Sequence, residues 1–134
     1  MSTAGLAVKG SVLAKGILVA DDHRHMRTVV CALLISEGYT ICGQASNGIE
    51  AIQLTRELSP EMAILNISMP VLSGLLALPE MLRAAPNMKV IILTAHESNE
   101  IRRQVFGLGA HAFVTKDTLP DALLDEVRRL FQDR

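Results

Sequence analysis

The sequence predicts a doubly wound α/β sandwich built on a five-stranded parallel sheet. Five short apolar runs alternate along the chain with five segments whose apolar residues recur at helical spacing, and each connection is short. Parallel strands need crossover connections, which helices supply with a right-handed sense. The composition, 49% hydrophobic and 20% charged over 134 residues, is that of one globular domain.

The first two β–α units each begin with an apolar run. The run Ile-Leu-Val-Ala at 17–20 is typical of a strand buried on both faces. The apolar residues that follow recur at helical spacing until Gly38, which tolerates the left-handed geometry that ends a helix. A second strand is predicted over 39–45 and a second helix over 49–58, with Asn47-Gly48 as the turn or cap between them.

The third unit pairs a strand over 62–65 with a helix over 75–84 that Ser73 is expected to cap. Pro79 lies inside this helix, where it removes one backbone hydrogen bond and is expected to bend it. The apolar side chains of the helix spread around too much of its circumference for one buried stripe. Two alternatives follow: an exposed apolar patch, or burial of the same residues by the bend. These residues are Leu75, Leu76, Leu78, Met81 and Leu82.

The last two units place strands over 90–93 and 112–114. A polar, exposed helix is predicted over 97–108, and a helix with an apolar stripe over 119–131. We expect residues 16–134 to form the domain. Residues 1–15 have no apolar run long enough for a signal peptide and are expected to form a flexible N-terminal arm.

Composition and charge exclude several classes of protein. A net charge of −1 and 3% aromatic residues argue against nucleic-acid binding by this chain. The uncharged stretch over 62–79 approaches the length of a membrane span, but Pro70 and Gly74 interrupt it, so no membrane segment is expected. Two isolated cysteines, Cys31 and Cys42, suit a reducing cytoplasm.

Polar side chains follow four of the strands at the point where each strand ends. They are Asp21, Asp22, Asn66, Thr94 and Lys116. In an open α/β sheet, ligands bind beyond the carboxyl ends of the strands, so these groups are expected to meet. Carboxylates suit Mg²⁺, and a hydroxyl and an ammonium suit phosphoryl oxygens. Taken singly, each group has a plainer interpretation as a helix cap, a turn hydroxyl or a surface ion pair.

Four motifs at these strand ends resemble those of the receiver domain of two-component response regulators. They are Ala-Asp-Asp-His at 20–23, Asn-Ile-Ser-Met-Pro at 66–70 with Gly74, Leu-Thr-Ala-His at 93–96, and the segment 109–117. The resemblance covers about residues 16–132 and is greatest to the branch that usually carries a LuxR/NarL-type helix-turn-helix output. It implies a CheY-like (βα)5 sandwich with the flavodoxin-like strand order 2-1-3-4-5.

The resemblance also implies roles for individual residues. Asp21 and Asp22 match the acidic pair that holds Mg²⁺, and the backbone carbonyl of Ser68 matches the group that completes the metal site. Thr94 matches the hydroxyl that follows phosphorylation, and Lys116 matches the lysine that contacts the phosphoryl group. Phe113 matches the aromatic residue that acts as the conformational switch of the family together with this hydroxyl.

Partners are implied by the same resemblance. A sensor histidine kinase or another signalling protein is the expected partner. The family's dimerisation or output face matches the helix over 97–108, the strand over 112–115 and the helix over 119–131, so a homodimer through this face is expected.

Residue 66 departs from the family, whose phosphoacceptor is an Asp. An amide is neutral and should not form an acyl phosphate, so we expect no phosphorylation at Asn66 and only weak Mg²⁺ binding, with Asn66 as a weak ligand. Three explanations stay open: a natural degenerate receiver, a laboratory Asp-to-Asn change in a conventional Mg²⁺-dependent receiver, and a sequencing or deamidation matter. A flavodoxin-like electron carrier is the third candidate function, beside the degenerate and the conventional receiver. It is disfavoured because the loop after strand one lacks a phosphate-cradling motif.

Overall fold

The computed structural model describes residues 16–132 and contains a five-stranded parallel sheet with the order β2-β1-β3-β4-β5. The strands are β1 (Ile17–Ala20), β2 (Ile41–Ala45), β3 (Met62–Leu65), β4 (Lys89–Thr94) and β5 (Ala112–Thr115). The helices are α1 (Arg24–Ser36), α2 (Gly48–Leu58), α3 (Gly74–Ala84), α4 (Asn99–Gly107) and α5 (Asp121–Gln132). The predicted fold class and strand order are confirmed. The predicted arm, residues 1–15, lies outside the described residues.

Two apolar layers cover the sheet, one on each face. Ile17 and Val19 pack with buried residues of α1 and α5, whereas Leu18 and Ala20 face the layer that contains α2, α3 and α4. Successive side chains of a strand point to opposite faces, so a strand covered on both faces must be apolar at every position. This requirement explains why the strands appear in the sequence as continuous apolar runs.

The ends of several elements differ from the sequence prediction by a few residues. β2 begins at Ile41, two residues later than predicted. α4 begins at Asn99 because the Ser98 side chain accepts a hydrogen bond from the Ile101 amide at 3.2 Å and caps the helix there. A short 3₁₀ turn, Lys116–Thr118, precedes α5, which begins at Asp121.

The two predicted caps of α2 and α3 are present. The Asn47 side chain accepts a hydrogen bond from the Glu50 amide at 2.9 Å, and the Ser73 hydroxyl accepts one from the Leu76 amide at 3.2 Å. Glu50 in turn accepts from the Ser46 amide at 2.8 Å, which lowers the pKa of the Glu50 carboxyl. These local bonds fix where the chain leaves β2 and the loop after β3.

The exposed apolar patch predicted on α3 is reduced to one side chain of the helix. Leu78 and Met81 are fully buried, and Leu75 and Leu82 pack partly buried against the same core. Leu76 alone of the five is exposed, at 62%. Burial is therefore the correct alternative for four of the five residues, because α3 packs against α2 and shares one apolar cluster with the strands. Among residues 16–132, none of the helices combines the length and the apolar character that a membrane span requires.

The register of the strands aligns their carboxyl ends along one edge. Ala20 lies beside both Ala45 and Leu65, Leu65 lies beside Ile92, and Thr94 lies beside Thr115. The residues that follow the strands therefore emerge at the same edge of the sheet.

Candidate functional site

Asp21 and Asn66 are neighbours because β1 and β3 are adjacent and in register. The backbone amide of Asn66 donates to the Ala20 carbonyl at 2.9 Å, and the backbone amide of Asp21 donates to the Ala45 carbonyl at 3.0 Å. These bonds continue the sheet one residue beyond the strands, so the backbone holds both side chains in place. Asp21 is 3% exposed and Asn66 is 5% exposed.

The Asp21 carboxylate is paired at both oxygens. Its Oδ1 accepts a hydrogen bond from the His23 backbone amide at 2.9 Å. Its Oδ2 lies 2.8 Å from Nζ of Lys116. A buried charge needs such partners, because an unpaired carboxylate in this position would lose its hydration without compensation.

The side-chain amide of Asn66 points its nitrogen at three oxygens. They are the Ser68 carbonyl at 2.9 Å, Asp22 Oδ1 at 3.2 Å and Asp21 Oδ1 at 3.4 Å. An amide has two hydrogens, so three acceptors share two donors, and the longest of the three contacts is the weakest. We call the group formed by Asp21, Asp22, Asn66, Ser68 and Lys116 the acidic pocket.

The donor set of the acidic pocket fits a hard divalent cation. The two carboxylates and the Ser68 carbonyl converge closely enough for one small group to touch an oxygen of each. All three are oxygen donors, which Mg²⁺ prefers, and the exposed neighbours of the pocket leave room for the waters that Mg²⁺ retains. The structure thus brings together the residues named from sequence as possible Mg²⁺ ligands.

His23 belongs to this group more closely than the sequence indicated. Its Nδ1 lies 3.5 Å from Asp21 Oδ1 and 3.6 Å from Asp22 Oδ1, although most of the ring is exposed. The ligand atoms of these three residues lie within 4.8 Å of one another. Its position directly after the acidic pair in the sequence is the signal that could have placed His23 in this group.

Arg27 is a second residue that sequence reasoning missed. Its guanidinium donates to the backbone carbonyl of Asp21 at 2.7 Å and to the Gln44 side chain at 3.1 Å. These bonds fasten the loop that carries the acidic pair to both α1 and β2. Arg27 lies one helical turn beyond His23, and only the folded loop shows that it reaches back.

Thr94 and Phe113 lie at the side of the sheet away from β1. Thr94 ends β4 as a largely buried residue, and its hydroxyl oxygen lies 3.5 Å from the His96 amide. Phe113 is buried in β5, and the Arg102 guanidinium of α4 stands 5.2 Å from its ring centroid. The structure places Thr94 at the same edge as the acidic pocket and Phe113 between the sheet and α4.

The loop after β3 has two unusual backbone positions. Gly74 packs so closely that a Cβ atom there would lie 2.0 Å from the Asn66 carbonyl oxygen. Val71 has a φ of 69°, a left-handed conformation that branched residues rarely adopt, and its side chain is 80% exposed. The Leu72 amide donates to the Pro70 carbonyl at 2.7 Å across Val71, which makes a tight γ-turn beside the pocket.

Known proteins share this architecture and 27–32% of the aligned sequence. Residues 17–128 match the family model of the response regulator receiver domain. Response regulator GacA of Pseudomonas aeruginosa is 32% identical over 116 residues, which are 86% of this chain and 54% of GacA. Chemotaxis protein CheY of Thermotoga maritima is 28% identical over 118 residues, which are 88% of this chain and 98% of CheY.

A solved structure agrees with these relatives. The signal receiver domain of NarL from Mycobacterium tuberculosis is 27% identical, with a TM-score of 0.80 that covers 88% of this chain and 96% of that chain. The similarity to NarL confirms the predicted resemblance to the NarL-type branch. The chain spans about half the length of GacA and nearly all of CheY.

Proposed function

The chain belongs to the response regulator receiver domain family, and from this premise we propose that it is a degenerate receiver of two-component signalling that acts through protein contacts. The observation that carries the proposal is the amide at residue 66, which lies in the acidic pocket between Asp21, Asp22 and Ser68. The proposal separates this chain from receivers that are controlled by an aspartyl phosphate.

The chemistry of an amide supports the absence of phosphorylation. Phosphoryl transfer to a carboxylate uses an anionic oxygen as the nucleophile. The Asn66 oxygen is neutral, and its amide nitrogen lone pair is delocalised, so neither atom attacks phosphorus under ordinary conditions. The amide hydrogens also point at the carboxylates, which leaves the pocket without a nucleophile at this position.

The remaining groups of the pocket suit phosphoryl oxygens and a cation. Asp21, Asp22 and the Ser68 carbonyl would hold Mg²⁺; when bound, the cation neutralises charge on phosphoryl oxygens. Lys116 and Thr94 would donate to those oxygens from the other side, and Thr94 with Phe113 would form the conformational switch. An amide in place of a carboxylate removes one negative charge, so weak Mg²⁺ affinity is expected.

A conventional receiver in which Asp was replaced by Asn66 is the second candidate. It is supported by the remainder of the pocket, in which Lys116 Nζ lies 2.8 Å from Asp21 Oδ2 and the two carboxylates face the Ser68 carbonyl across Asn66. In that case the restored protein takes its phosphoryl group from a kinase phosphohistidine and catalyses the transfer itself.

Incubation with acetyl phosphate and Mg²⁺ followed by intact mass measurement tests the proposal. The native chain is expected to gain no phosphoryl group. A phosphoryl adduct on the native chain would falsify the proposal that this receiver is degenerate. Asn66→Asp serves as the comparison, since a pocket with sound geometry is expected to accept phosphate once the carboxylate is present, and failure of this variant shows that the pocket itself is incompetent.

A sensor histidine kinase or another signalling protein is the proposed partner, and the cytoplasm is the proposed location.

The homodimer face is proposed on α4, β5 and α5, where the α4 end exposes Phe106 and Leu108. Light scattering over a range of concentrations tests the dimer, and a strict monomer at every concentration argues against it. Direct binding of nucleic acid by this domain is not proposed, because its net charge is −1.

A further inference from the structure

The Asn66 amide nitrogen touches the same three oxygens that would ligate a cation. It lies 2.9 Å from the Ser68 carbonyl, 3.2 Å from Asp22 Oδ1 and 3.4 Å from Asp21 Oδ1. We infer that this nitrogen substitutes for the cation, so that the acidic pocket is assembled without metal and Asn66 competes with Mg²⁺ for its ligands. The inference rests on the proposed cation site and adds a mechanism by which this chain disfavours its occupation.

The orientation of the amide carries the argument. With Nδ2 inward, two hydrogens face two carboxylates and a carbonyl, all of which are acceptors. With Oδ1 inward, a lone-pair oxygen would face those same acceptors without a donor between them. The metal-free pocket therefore favours the observed orientation, and Mg²⁺ can use the three oxygens only if the amide turns over or moves away.

The charges of the pocket point in the same direction. Asp21 and Asp22 carry two negative charges, and Lys116 supplies one positive charge 2.8 Å from Asp21. The partial positive charge of the amide hydrogens falls on the side of Asp21 and Asp22 that faces Ser68. A carboxylate at residue 66 would instead add a third negative charge to a largely buried group, which a cation would then have to neutralise.

Calorimetric titration with Mg²⁺ at fixed ionic strength tests the inference, because removing the Asn66 side chain should raise the Mg²⁺ affinity if Asn66 is a competitor and lower it if Asn66 is a ligand. If Asn66 competes with the cation, Asn66→Ala removes the competitor and should bind Mg²⁺ about tenfold more tightly than the native chain, the equivalent of one competing hydrogen bond. If Asn66 is instead a ligand through Oδ1, the alanine variant binds more weakly. Weaker or unchanged binding by Asn66→Ala overturns the inference.

Two comparison variants distinguish failure of the inference that Asn66 competes with Mg²⁺ from failure of the proposed cation site. Asn66→Asp should bind Mg²⁺ more tightly than either protein, and absence of binding by this variant overturns the cation site as well as the inference. Asn87→Ala removes an exposed amide from the turn between α3 and β4 and should leave the affinity at the native value.

A measurement on the native chain covers the case in which Asn66→Ala does not fold. In the metal-free protein, the two side-chain amide protons of Asn66 should exchange slowly with solvent, because they are buried and bonded. Saturating Mg²⁺ should displace the amide and speed their exchange, while the Asn87 side-chain amide stays unchanged. Equal protection with and without saturating Mg²⁺ overturns the inference.

Discussion

The ammonium of Lys116 lies 2.8 Å from Oδ2 of Asp21, and both side chains are largely buried. Asp21 follows β1, whereas Lys116 follows β5 at the edge of the sheet, so the ion pair reaches across the ends of β3 and β4. This single contact closes the acidic pocket and neutralises its most buried carboxylate. It also makes the pocket a determinant of stability.

Lys116→Met is expected to lower the free energy of unfolding by about 3 kcal/mol, because removing one partner leaves a buried charge. Asp21 keeps its bonds to the His23 amide and Asn66, which holds the loss at the lower end of the range for buried pairs. Urea unfolding at neutral pH measures the change. Arg128→Met is the control, since its ion pairs with Glu37 and Asp125 are exposed and should contribute less than about 1 kcal/mol. Similar losses for the two variants would contradict the burial argument.

Gly74→Ala is expected to destabilise the fold by about 3 kcal/mol, because its methyl group would meet the Asn66 backbone carbonyl. The clash is with backbone, so the loop after β3 must move to relieve it. Gly107→Ala is a matched control on the last residue of α4, where a Cβ atom meets nothing within 4 Å. That variant should gain roughly 0.5 kcal/mol from helix propensity. Thermal unfolding of both proteins measures the difference, and a tolerated alanine at residue 74 would refute the close approach.

Val71→Gly is expected to raise the free energy of unfolding by about 1 kcal/mol. Val71 holds a φ of 69°, which costs a side-chain-bearing residue roughly 1–2 kcal/mol and costs glycine almost nothing. The exposed side chain contributes little burial that the change could remove. Val71→Ala keeps the Cβ atom and should gain less than the glycine variant. Denaturant midpoints of the three proteins decide the matter, and a lower midpoint for glycine than for valine would contradict the assignment of strain.

The fold could be predicted from the sequence because its parallel strands are buried on both faces. The runs at β1 and β3 have no polar position, and their bounds agree with the structure at both ends. The meeting of Asp21 with Asn66 follows from the same reasoning, since adjacent parallel strands end at one edge. Local patterns therefore sufficed wherever one element or one strand end determined the outcome.

Contacts between side chains of different elements could not be predicted in the same way. The burial of Leu78 on α3 depends on where α2 packs, and the reach of Arg27 to the Asp21 carbonyl depends on the path of the loop. The inward nitrogen of Asn66 depends on three acceptors from two loops. The left-handed Val71 had no sequence signal at all, because valine is not a residue that favours this conformation.

The stability of the chain is expected to fall between neutral pH and mildly acidic pH because of His111. Burial, and to a lesser degree the charges of Lys89 and Arg129, lowers the pKa of the His111 imidazole below its ordinary value of 6.5. Its Nδ1 accepts a hydrogen bond from the Val90 amide at 3.0 Å, which a protonated ring could not accept. Below pH 6.5 the unfolded chain therefore binds the proton more readily than the folded chain, and stability is lost as pH falls until the folded pKa is passed.

Urea unfolding of the native chain and His111→Asn at pH 7.5 and pH 5.5 tests this coupling. An asparagine oxygen can accept from the Val90 amide without titrating, so the variant should lose less stability between the two pH values than the native chain does. His25→Asn, at an exposed position on α1, is the matched control and should keep the native pH dependence. If His111→Asn loses as much unfolding free energy between pH 7.5 and pH 5.5 as the native chain does, protonation of His111 does not cause the acid sensitivity and other groups do.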